Sequence, residues 1–176
     1  MPYCVKCGHM LEERQLKGEG VVPYCPVCEE FRFPGFSVCC SMIVMDPEAK
    51  RILLIKQYGR VEYILVAGYV MKGEDAEQTV VREIREELGV SVKRIKFNRT
   101  HYFPPSNVLM VNFTVQLESE QLHPNEEIDS FRWFTPEEAR NNIHDGGLAQ
   151  IFLNGYLDGL RETEYVFPKQ EDMRLV

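Results

Sequence analysis

The chain has 176 residues, of which 44% are hydrophobic, so it can form one main domain with a sizeable core and at most a small appendage. Its formal net charge of -7 argues against a broad electrostatic surface for duplex nucleic acid. The N-terminus lacks the apolar run of a signal peptide, and no later segment approaches about 18 consecutive apolar residues. These features predict a soluble, cytoplasmic protein that does not bind membranes.

Four of the six cysteines form two C-x-x-C pairs near the N-terminus, Cys4 with Cys7 and Cys25 with Cys28. The spacing between the pairs lets two tight turns present four thiolates to one tetrahedral metal ion. Zn²⁺ is the metal that this pattern favours, while iron uses the same ligand set and two disulfides in a secreted domain are a further alternative. We predict a structural Zn²⁺ site on which the folding of residues 1–33 depends.

The other two cysteines, Cys39 and Cys40, lie inside the apolar run Ser37–Met45. A run of this length is typical of a buried strand, so the two thiols are expected to pack inside a sheet. No cationic neighbour that would activate a catalytic cysteine is visible nearby in the sequence.

A domain boundary is predicted at Pro34-Gly35, because this pair interrupts regular structure just before the first apolar strand. It divides the chain into an N-terminal zinc ribbon, residues 1–33, and a main domain, residues 34–176. Two more strands are predicted after the first, at Arg51–Gln57 and Val61–Val66.

After a break at Ala67-Gly68, the apolar spacing predicts a helix over Ala76–Leu88 that ends at Gly89. Residues at spacings of three and four make a stripe that can pack on the sheet: Ala76, Val80, Val81, Ile84 and Leu88. Three carboxylates share one edge of the helix within a single turn: Glu83, Glu86 and Glu87. They are expected to repel one another, and a divalent cation such as Mg²⁺ or Mn²⁺ would reverse that repulsion.

Helical geometry alone leaves two interpretations of these glutamates open. One is a solvated surface helix in which Arg82 pairs with Glu86 at i,i+4. The other is a metal site, which the complete pattern from Gly68 to Val90, GYVMKGEDAEQTVVREIREELGV, favours. This segment has the Nudix box residue types at every defined position of that motif. The sequence therefore resembles a Nudix hydrolase, that is, a pyrophosphohydrolase.

The resemblance extends to one branch of the family. The segments Val66–Val70 and Gly73-Glu74 resemble the A-G-F-V-E-x-G-E opening of the NADH pyrophosphatases, which also carry a four-cysteine zinc ribbon. Met71 stands where that branch usually has glutamate, and Thr100–Ser106 keeps only the aromatic-proline part of its S-Q-P-W-P-F-P-x-S motif. The resemblance implies an α+β fold, namely a Nudix α/β/α sandwich with a mixed β-sheet, preceded by a small zinc ribbon.

Further elements are predicted after the box. Three are strands: Val92–Phe103, Asn107–Leu117 and Asp129–Phe134. Thr135 then begins a capping box with proline at the first helical position. The apolar spacing over Leu148–Leu160 predicts a helix on the other face of the sheet. The tail from about Pro168 is polar and is expected to be loosely held.

The family resemblance implies a catalytic site for Mg²⁺ or Mn²⁺. Its implied metal ligands are Glu83, Glu86, Glu87, Glu127 and the backbone of Gly68. Glu126 is the alternative to Glu127, because the implied carboxylate stands just before an aliphatic residue. Arg82 completes the catalytic set by orienting neighbouring carboxylates, and Glu83 is implied as a metal ligand or as the general base.

Substrate contacts are implied for the backbone of Gly68 and for three aromatic residues: Tyr69, Tyr102 and Phe103. Aromatic side chains of this kind can stack a planar base, although Tyr102 and Phe103 can equally be core residues. The branch implies a homodimer that cleaves NADH or NAD⁺ to nicotinamide mononucleotide and AMP. ADP-ribose, another dinucleotide or NAD-capped RNA are alternative substrates, and no other nucleic acid is expected. A non-catalytic nucleotide sensor with a zinc-ribbon interaction surface is the alternative of another class.

Overall fold

The computed structural model describes residues 2–159. The tail from Pro168 and the last residue of the predicted C-terminal helix, Leu160, lie outside these described residues. The chain divides into two compact units, one that ends at Phe36 and one that begins at Ser37. Within residues 2–159, none of the helices has the length and apolar character needed to cross a membrane.

The N-terminal unit is a three-stranded antiparallel sheet in the order β1-β2-β3. Its strands are β1 (Glu12–Leu16), β2 (Gly20–Cys25) and β3 (Glu30–Phe31). Among its described residues, the buried apolar side chains are those of Cys4, Val22 and Cys25. So small a core cannot hold a fold of this size by itself, and a metal ion bound by the cysteines would supply the missing stability.

Over residues 37–159, the second unit contains a six-stranded mixed sheet and three helices. The strands are β4 (Ser37–Met45), β5 (Ile52–Gln57), β6 (Val66–Tyr69), β7 (Val92–Phe103), β8 (Val108–Leu117) and β9 (Ile128–Phe134). The helices are α1 (Ala76–Leu88), α2 (Pro136–Asn142) and α3 (Leu148–Leu157). The order is β7-β8-β4-β5-β9 with β6 also paired to β4, and β4 and β8 are parallel. The predicted α/β/α sandwich with a mixed β-sheet is confirmed.

Each face of this sheet carries its own core. On one face, α1 buries Val80, Ile84 and Leu88 against strand residues such as Phe113. On the other face, α2 and α3 pack over a second apolar cluster. The predicted stripe of α1 is wrong at Val81, which is 37% exposed. Successive helical residues lie about 100° apart around the axis, so Val81 turns away once Val80 points into the core.

The third predicted strand, Val61–Val66, is wrong. The strand begins at Val66 and continues through Ala67 and Gly68, which the sequence indicated as a break. Gly68 pairs with Cys40 in the sheet, and the space that its missing side chain leaves is taken by Glu83 of α1. The glycine therefore marks a close approach within a strand and not the end of one.

The predicted strand Val92–Phe103 is confirmed as β7, and the connection that follows it is one residue longer than predicted, because β8 begins at Val108 and not at Asn107. The strand runs through Phe103, and only Pro104–Ser106, a 3₁₀ turn, separates it from the turn residue before β8. His101 lies within β7, with its ring centroid 6.3 Å from that of Phe152. The aromatic residues before Pro104 suit a strand, and the two prolines end it.

Candidate metal centres and active site

The four N-terminal cysteines converge on one point. Sγ of Cys4 lies 3.9 Å from Sγ of Cys28, and Sγ of Cys7 lies 3.5 Å from Sγ of Cys25. A tetrahedral Zn²⁺ with Zn–S bonds of about 2.3 Å needs sulfurs about 3.8 Å apart, which these distances match. All four are free thiols, so the alternative of two disulfides is not realised in this structure.

Arg32 supports the cysteine cluster from outside. Its Nε donates a hydrogen bond to Sγ of Cys4 at 3.3 Å. Burial by itself would raise the pKa of the Cys4 thiol, but the hydrogen bonds from Arg32 and from backbone N–H groups outweigh it and lower the pKa to about 6. The thiolate, which is the metal-binding form, is thereby favoured at Cys4 near neutral pH.

In the second unit, helix α1 is held in register at both ends. The side chain of Asp75 accepts a hydrogen bond from the backbone N–H of Gln78, and the Gln78 side chain accepts one from the N–H of Asp75. At the other end, Gly89 adopts a left-handed φ of 64° and donates to the carbonyl of Arg85. These caps fix which residues of α1 face β6.

Glu83 packs directly across Gly68 of β6. A Cβ atom built at Gly68 would overlap the carboxyl group of Glu83. The φ of Gly68 is not in the left-handed region, so the glycine is required by this contact and not by the backbone. Residues 68 and 83 of the predicted site are therefore brought together.

Arg82 donates hydrogen bonds to three of the acidic side chains. Its Nε and Nη2 donate to the two carboxylate oxygens of Glu74, at 2.7 and 3.1 Å. Its Nη1 donates to Glu83 at 2.6 Å and to Glu86 at 3.0 Å, and Nη2 also reaches the carbonyl of Tyr69. The hydrogen bonds from Arg82 lower the pKa of Glu74 to about 2. Arg82 therefore pairs with Glu86, as the surface-helix interpretation predicted, but it also binds three further acceptors.

Glu87 is the most buried of the three helix glutamates, with 4% of its surface exposed. Burial, followed by the charges of Glu83 and Glu127, raises its pKa to about 8. Its described side-chain partner is Gln57 at the end of β5, whose Nε2 donates at 2.9 Å. Gln57 was not predicted as a site residue, and the available signal was a buried polar residue at the end of an apolar strand.

Glu127 reaches the same cluster from the segment before β9. Its charge raises the pKa of both Glu83 and Glu87, although burial is the larger cause for each, whereas Glu126 is exposed. The hydroxyl of Tyr58 donates to Glu127, which raises the pKa of Tyr58 to about 12. Glu127, rather than Glu126, is thus the fourth carboxylate of the cluster.

The carboxylates of the cluster lie near one another, but their oxygen atoms do not converge on one metal position. Within residues 2–159, only the four cysteines form a group of three or more His, Cys, Asp or Glu side chains with ligand atoms all within 4.8 Å of one another. Ion pairs with Arg82 hold Glu83 and Glu86 in their present rotamers. An oxygen-only donor set of this kind suits Mg²⁺ or Mn²⁺, and rotation of the flexible glutamate side chains would gather it around an ion.

A cavity of about 270 Å³ lies on the α3 side of the sheet, beside β6. Ala67 lines it and immediately precedes Gly68, so the cavity adjoins the glutamate cluster through the backbone of β6. Its described lining is Ser41, Arg60, Ile64, Leu65, Ala67, Met110, His144, Gly147, Leu148, Ala149 and Phe152. This lining is mostly apolar, includes no carboxylate, and comes from distant segments that no sequence motif connects. A wider groove of about 580 Å³ runs along α1 past Arg82 and Glu86.

The predicted aromatic contacts do not form one stacking surface. Tyr102 and Phe103 are successive residues of β7, so their side chains leave opposite faces of the sheet. The Tyr102 hydroxyl donates to Oδ1 of Asn107 in the adjoining turn, at 2.7 Å. Tyr69 is 57% exposed at the end of β6, and its backbone carbonyl is held by Arg82.

Replacing Gly68 by alanine is expected to lower turnover by about ten- to a hundredfold with little change in melting temperature. The added methyl group displaces the carboxylate of Glu83, which the family resemblance implies as a catalytic residue, and a displacement of about 1 Å at such a group can cost that much. Steady-state kinetics and thermal melting of G68A measure the two effects.

Two variants test the cause of the G68A defect. In G35A, the new Cβ meets nothing within 4 Å, so turnover should stay at the parental level. In the double variant G68A/E83Q, turnover should equal that of E83Q within about twofold, because both changes act on one carboxylate. Additive losses would contradict this explanation.

Comparison with known proteins extends these observations. A family model for the NUDIX domain matches residues 36–152. NAD-capped RNA hydrolase NudC of Pseudomonas aeruginosa is 34% identical over 158 residues, which cover 88% of this chain and 55% of that protein. The NudC of Photobacterium profundum is 28% identical over 169 residues, with 93% and 61% covered. The chain thus spans only about half to three-fifths of the length of these curated relatives.

Solved structures give the same fold. The crystal structure of a NUDIX hydrolase from Nitrosomonas europaea superimposes with a TM-score of 0.68 and 24% identity, over 90% of this chain and 91% of that one. A NUDIX-family hydrolase from Clostridium perfringens gives a TM-score of 0.56 at 15% identity, over 72% and 99%. At these identities the likeness establishes the fold alone.

Proposed function

The chain belongs to the Nudix family, and from this premise we propose that it hydrolyses the diphosphate bond of a nucleoside diphosphate derivative with the help of Mg²⁺ or Mn²⁺. The observation that carries the proposal is the packing of Glu83 across Gly68, with Arg82 bound to Glu74, Glu83 and Glu86. An ordinary solvated helix needs no such contact with a neighbouring strand. The proposal accounts for it, because a hydrolytic site requires its carboxylates to be held in place.

The proposed metal ligands are Glu83, Glu86, Glu87, Glu127 and the backbone of Gly68. A divalent cation bound there would neutralise the diphosphate and lower the pKa of a coordinated water. Glu83 would act as a metal ligand or as the general base that takes the proton from the attacking water. Burial of Glu87 leaves its charge poorly hydrated, which favours pairing with a cation over exposure to solvent. Arg82 would keep Glu83 and Glu86 on the substrate side of α1.

For the substrate, NADH or NAD⁺, cleaved to nicotinamide mononucleotide and AMP, is the first choice, and ADP-ribose or another dinucleotide is the second. The cavity beside Ala67 supports binding of one nucleoside end of a dinucleotide, because its volume of about 270 Å³ lies just below the range of about 300–1,000 Å³ for pockets that hold a whole ligand. Curated relatives bear the name NAD-capped RNA hydrolase, which supports an RNA-linked dinucleotide as a further substrate.

The remaining features of the proposal concern the whole chain. Residues 1–33 would form a structural zinc ribbon and residues 34–176 the catalytic domain. We also propose a homodimer that acts in the cytoplasm. Sedimentation of the purified full chain would check the dimer.

A substrate panel tests the proposed reaction. Purified protein with Mg²⁺ or Mn²⁺ is incubated with NADH, NAD⁺, ADP-ribose, diadenosine polyphosphates and nucleoside triphosphates, and the products are identified by mass spectrometry. Cleavage of a dinucleotide between its two phosphates is the expected result, and it should stop when the metal is chelated. Tight binding of a nucleotide without cleavage of any panel member would contradict the proposal and favour a nucleotide sensor.

A further inference from the structure

Strand β7 is unusually basic for this acidic chain. Its 12 residues include no aspartate or glutamate, whereas the whole chain has a net charge of -7. Its four cations are Lys93, Arg94, Lys96 and Arg99. None of the four forms an ion pair within residues 2–159, although Glu or Asp partners neutralise many other cations of the chain. Unpaired cations gathered on one strand indicate an anionic ligand.

Two β-bulges bring three of these cations onto the same face of the sheet. The ladder between β7 and β8 is shifted between Val92 and Arg94 and again between Phe97 and Arg99. The paired residues on this face are Arg94 with Gln116, Lys96 with Thr114, and Arg99 with Asn112. Without the second shift, Asn98 would occupy the position that Arg99 takes opposite Asn112. The opposite face of β7 holds Ile95, which packs against the core under α1.

Within residues 2–159, the cationic face is exposed at Arg94 and Lys96, whereas beside Arg99 the side chain of Asn112 is fully buried. β7 is an edge strand, and the β8 residues beside its three cations are polar. The core under α2 and α3 includes no residue of β7 and only Met110 of β8. Arg94 and Lys96 are exposed, and Arg99 is half-buried. The side chains are therefore available to a ligand that lies along the strand.

This row of cations leads to the cavity beside β6. The next residue on the same face is His101, which pairs with Met110 and contacts Phe152. Both of these partners line the cavity, whose own polar lining includes Arg60 and His144. An anionic chain attached to a ligand in the cavity would therefore meet His101 first and then the three cations in turn.

We propose that Arg94, Lys96 and Arg99 bind the phosphate backbone of a single-stranded polynucleotide whose 5′ end carries the diphosphate bond that is cleaved. Side chains two positions apart on one strand face lie about 7 Å apart, a step comparable to that between phosphates of an extended polynucleotide. Arginine and lysine bind phosphate oxygens by charge-assisted hydrogen bonds. A single row of cations suits one strand, and the acidic remainder of the chain disfavours a duplex. The inference rests on the proposed function, which already includes RNA-linked dinucleotides, and it adds the residues that would bind the RNA part of such a substrate.

The test compares two charge-matched triple variants with the parent. R94Q/K96Q/R99Q removes the row, and K50Q/R132Q/R140Q removes the same charge away from β7. With free NAD⁺, both variants should keep kcat/KM within about twofold of the parent. With a 20-nucleotide single-stranded RNA carrying 5′-linked NAD, the kcat/KM of R94Q/K96Q/R99Q should fall at least about tenfold. The kcat/KM of the control variant should not change.

A measurement of RNA binding tests this inference independently of the proposed reaction. Anisotropy of a labelled 5′-monophosphate RNA of the same sequence gives the affinity at several salt concentrations without any turnover. The slope of log affinity against log salt should weaken by about 2 in R94Q/K96Q/R99Q, and by about 1.4 in R94Q/K96Q, since each single-strand phosphate contact contributes about 0.7.

Specific results would overturn the inference. They are an unchanged slope in both β7 variants, no RNA binding by the parent, or an equal loss of activity on free NAD⁺ and on capped RNA. If the parent cleaves no dinucleotide but its RNA binding depends on β7, the proposed reaction fails, and the binding of single-stranded RNA by the β7 cations is the part of the inference that stands.

Discussion

Glu83→Gln is expected to reduce turnover at least a hundredfold while the protein stays folded. Glutamine keeps the size of the side chain but removes the charge that would bind a divalent cation or accept a proton. A hundredfold loss corresponds to about 2.7 kcal/mol of lost transition-state stabilisation. Single-turnover kinetics with the best substrate of the panel measure it, and circular dichroism checks the fold.

The environment of Glu83 explains why the loss should lie in turnover and not in stability. Burial raises the pKa of Glu83 against the effect of the Arg82 ion pair, so the free protein gains little from this charge. Removing the charge relieves a desolvation cost, although one hydrogen bond from Arg82 weakens. The melting temperature of E83Q should therefore stay close to that of the parent.

Glu77→Gln is the matched control for E83Q. Glu77 lies in the first turn of the same helix and is exposed. The substitution changes the net charge and the helix composition equally but lies away from the face that packs on Gly68. Its turnover should remain within about twofold of the parent. Turnover of E83Q within a few fold of the parent would overturn the assignment of the site.

The parts of this structure that the sequence predicts well are those with local signals. The bounds of α1 agree to the residue, because Asp75 and Gly89 are capping residues whose preference comes from backbone geometry. The family resemblance implied that Gly68 and Glu83 belong to one site, and the structure brings the two residues together. The C-x-x-C pairs predict a convergence of four thiols, since a tight turn presents both sulfurs of a pair on one side.

The sequence does not predict contacts between residues that lie far apart along the chain. Gly68 could be interpreted as a break, because a glycine in a strand looks the same in sequence as one in a turn. The contact of Gln57 with Glu87 links residues 30 positions apart, and neither belongs to a pattern that names the other. The bulges of β7 likewise depend on its pairing with β8, so the alignment of Arg99 with Lys96 becomes visible only in the folded sheet.

Loss of the metal from the N-terminal unit is expected to unfold that unit while the second unit stays folded. The apolar core of the N-terminal unit amounts to a few buried side chains, whereas structural zinc contributes about 10–16 kcal/mol of apparent binding energy in small zinc domains. Elemental analysis of the parent should find about one zinc per chain. In Cys25→Ser, which removes the most buried ligand, the zinc content should fall close to zero.

Hydrogen exchange locates the consequence of zinc loss. In C25S, amides up to Phe36 should lose protection, while those of the second sheet keep theirs, because each unit has its own internal contacts. Cys39→Ser is the matched control, since Cys39 is also a buried thiol but belongs to β4 of the second unit and is not a member of the cysteine cluster. Its zinc content should equal that of the parent. Finding iron in place of zinc would contradict the predicted identity of the metal but not its four ligands. Finding six freely titrating thiols in the native protein would contradict the metal site itself.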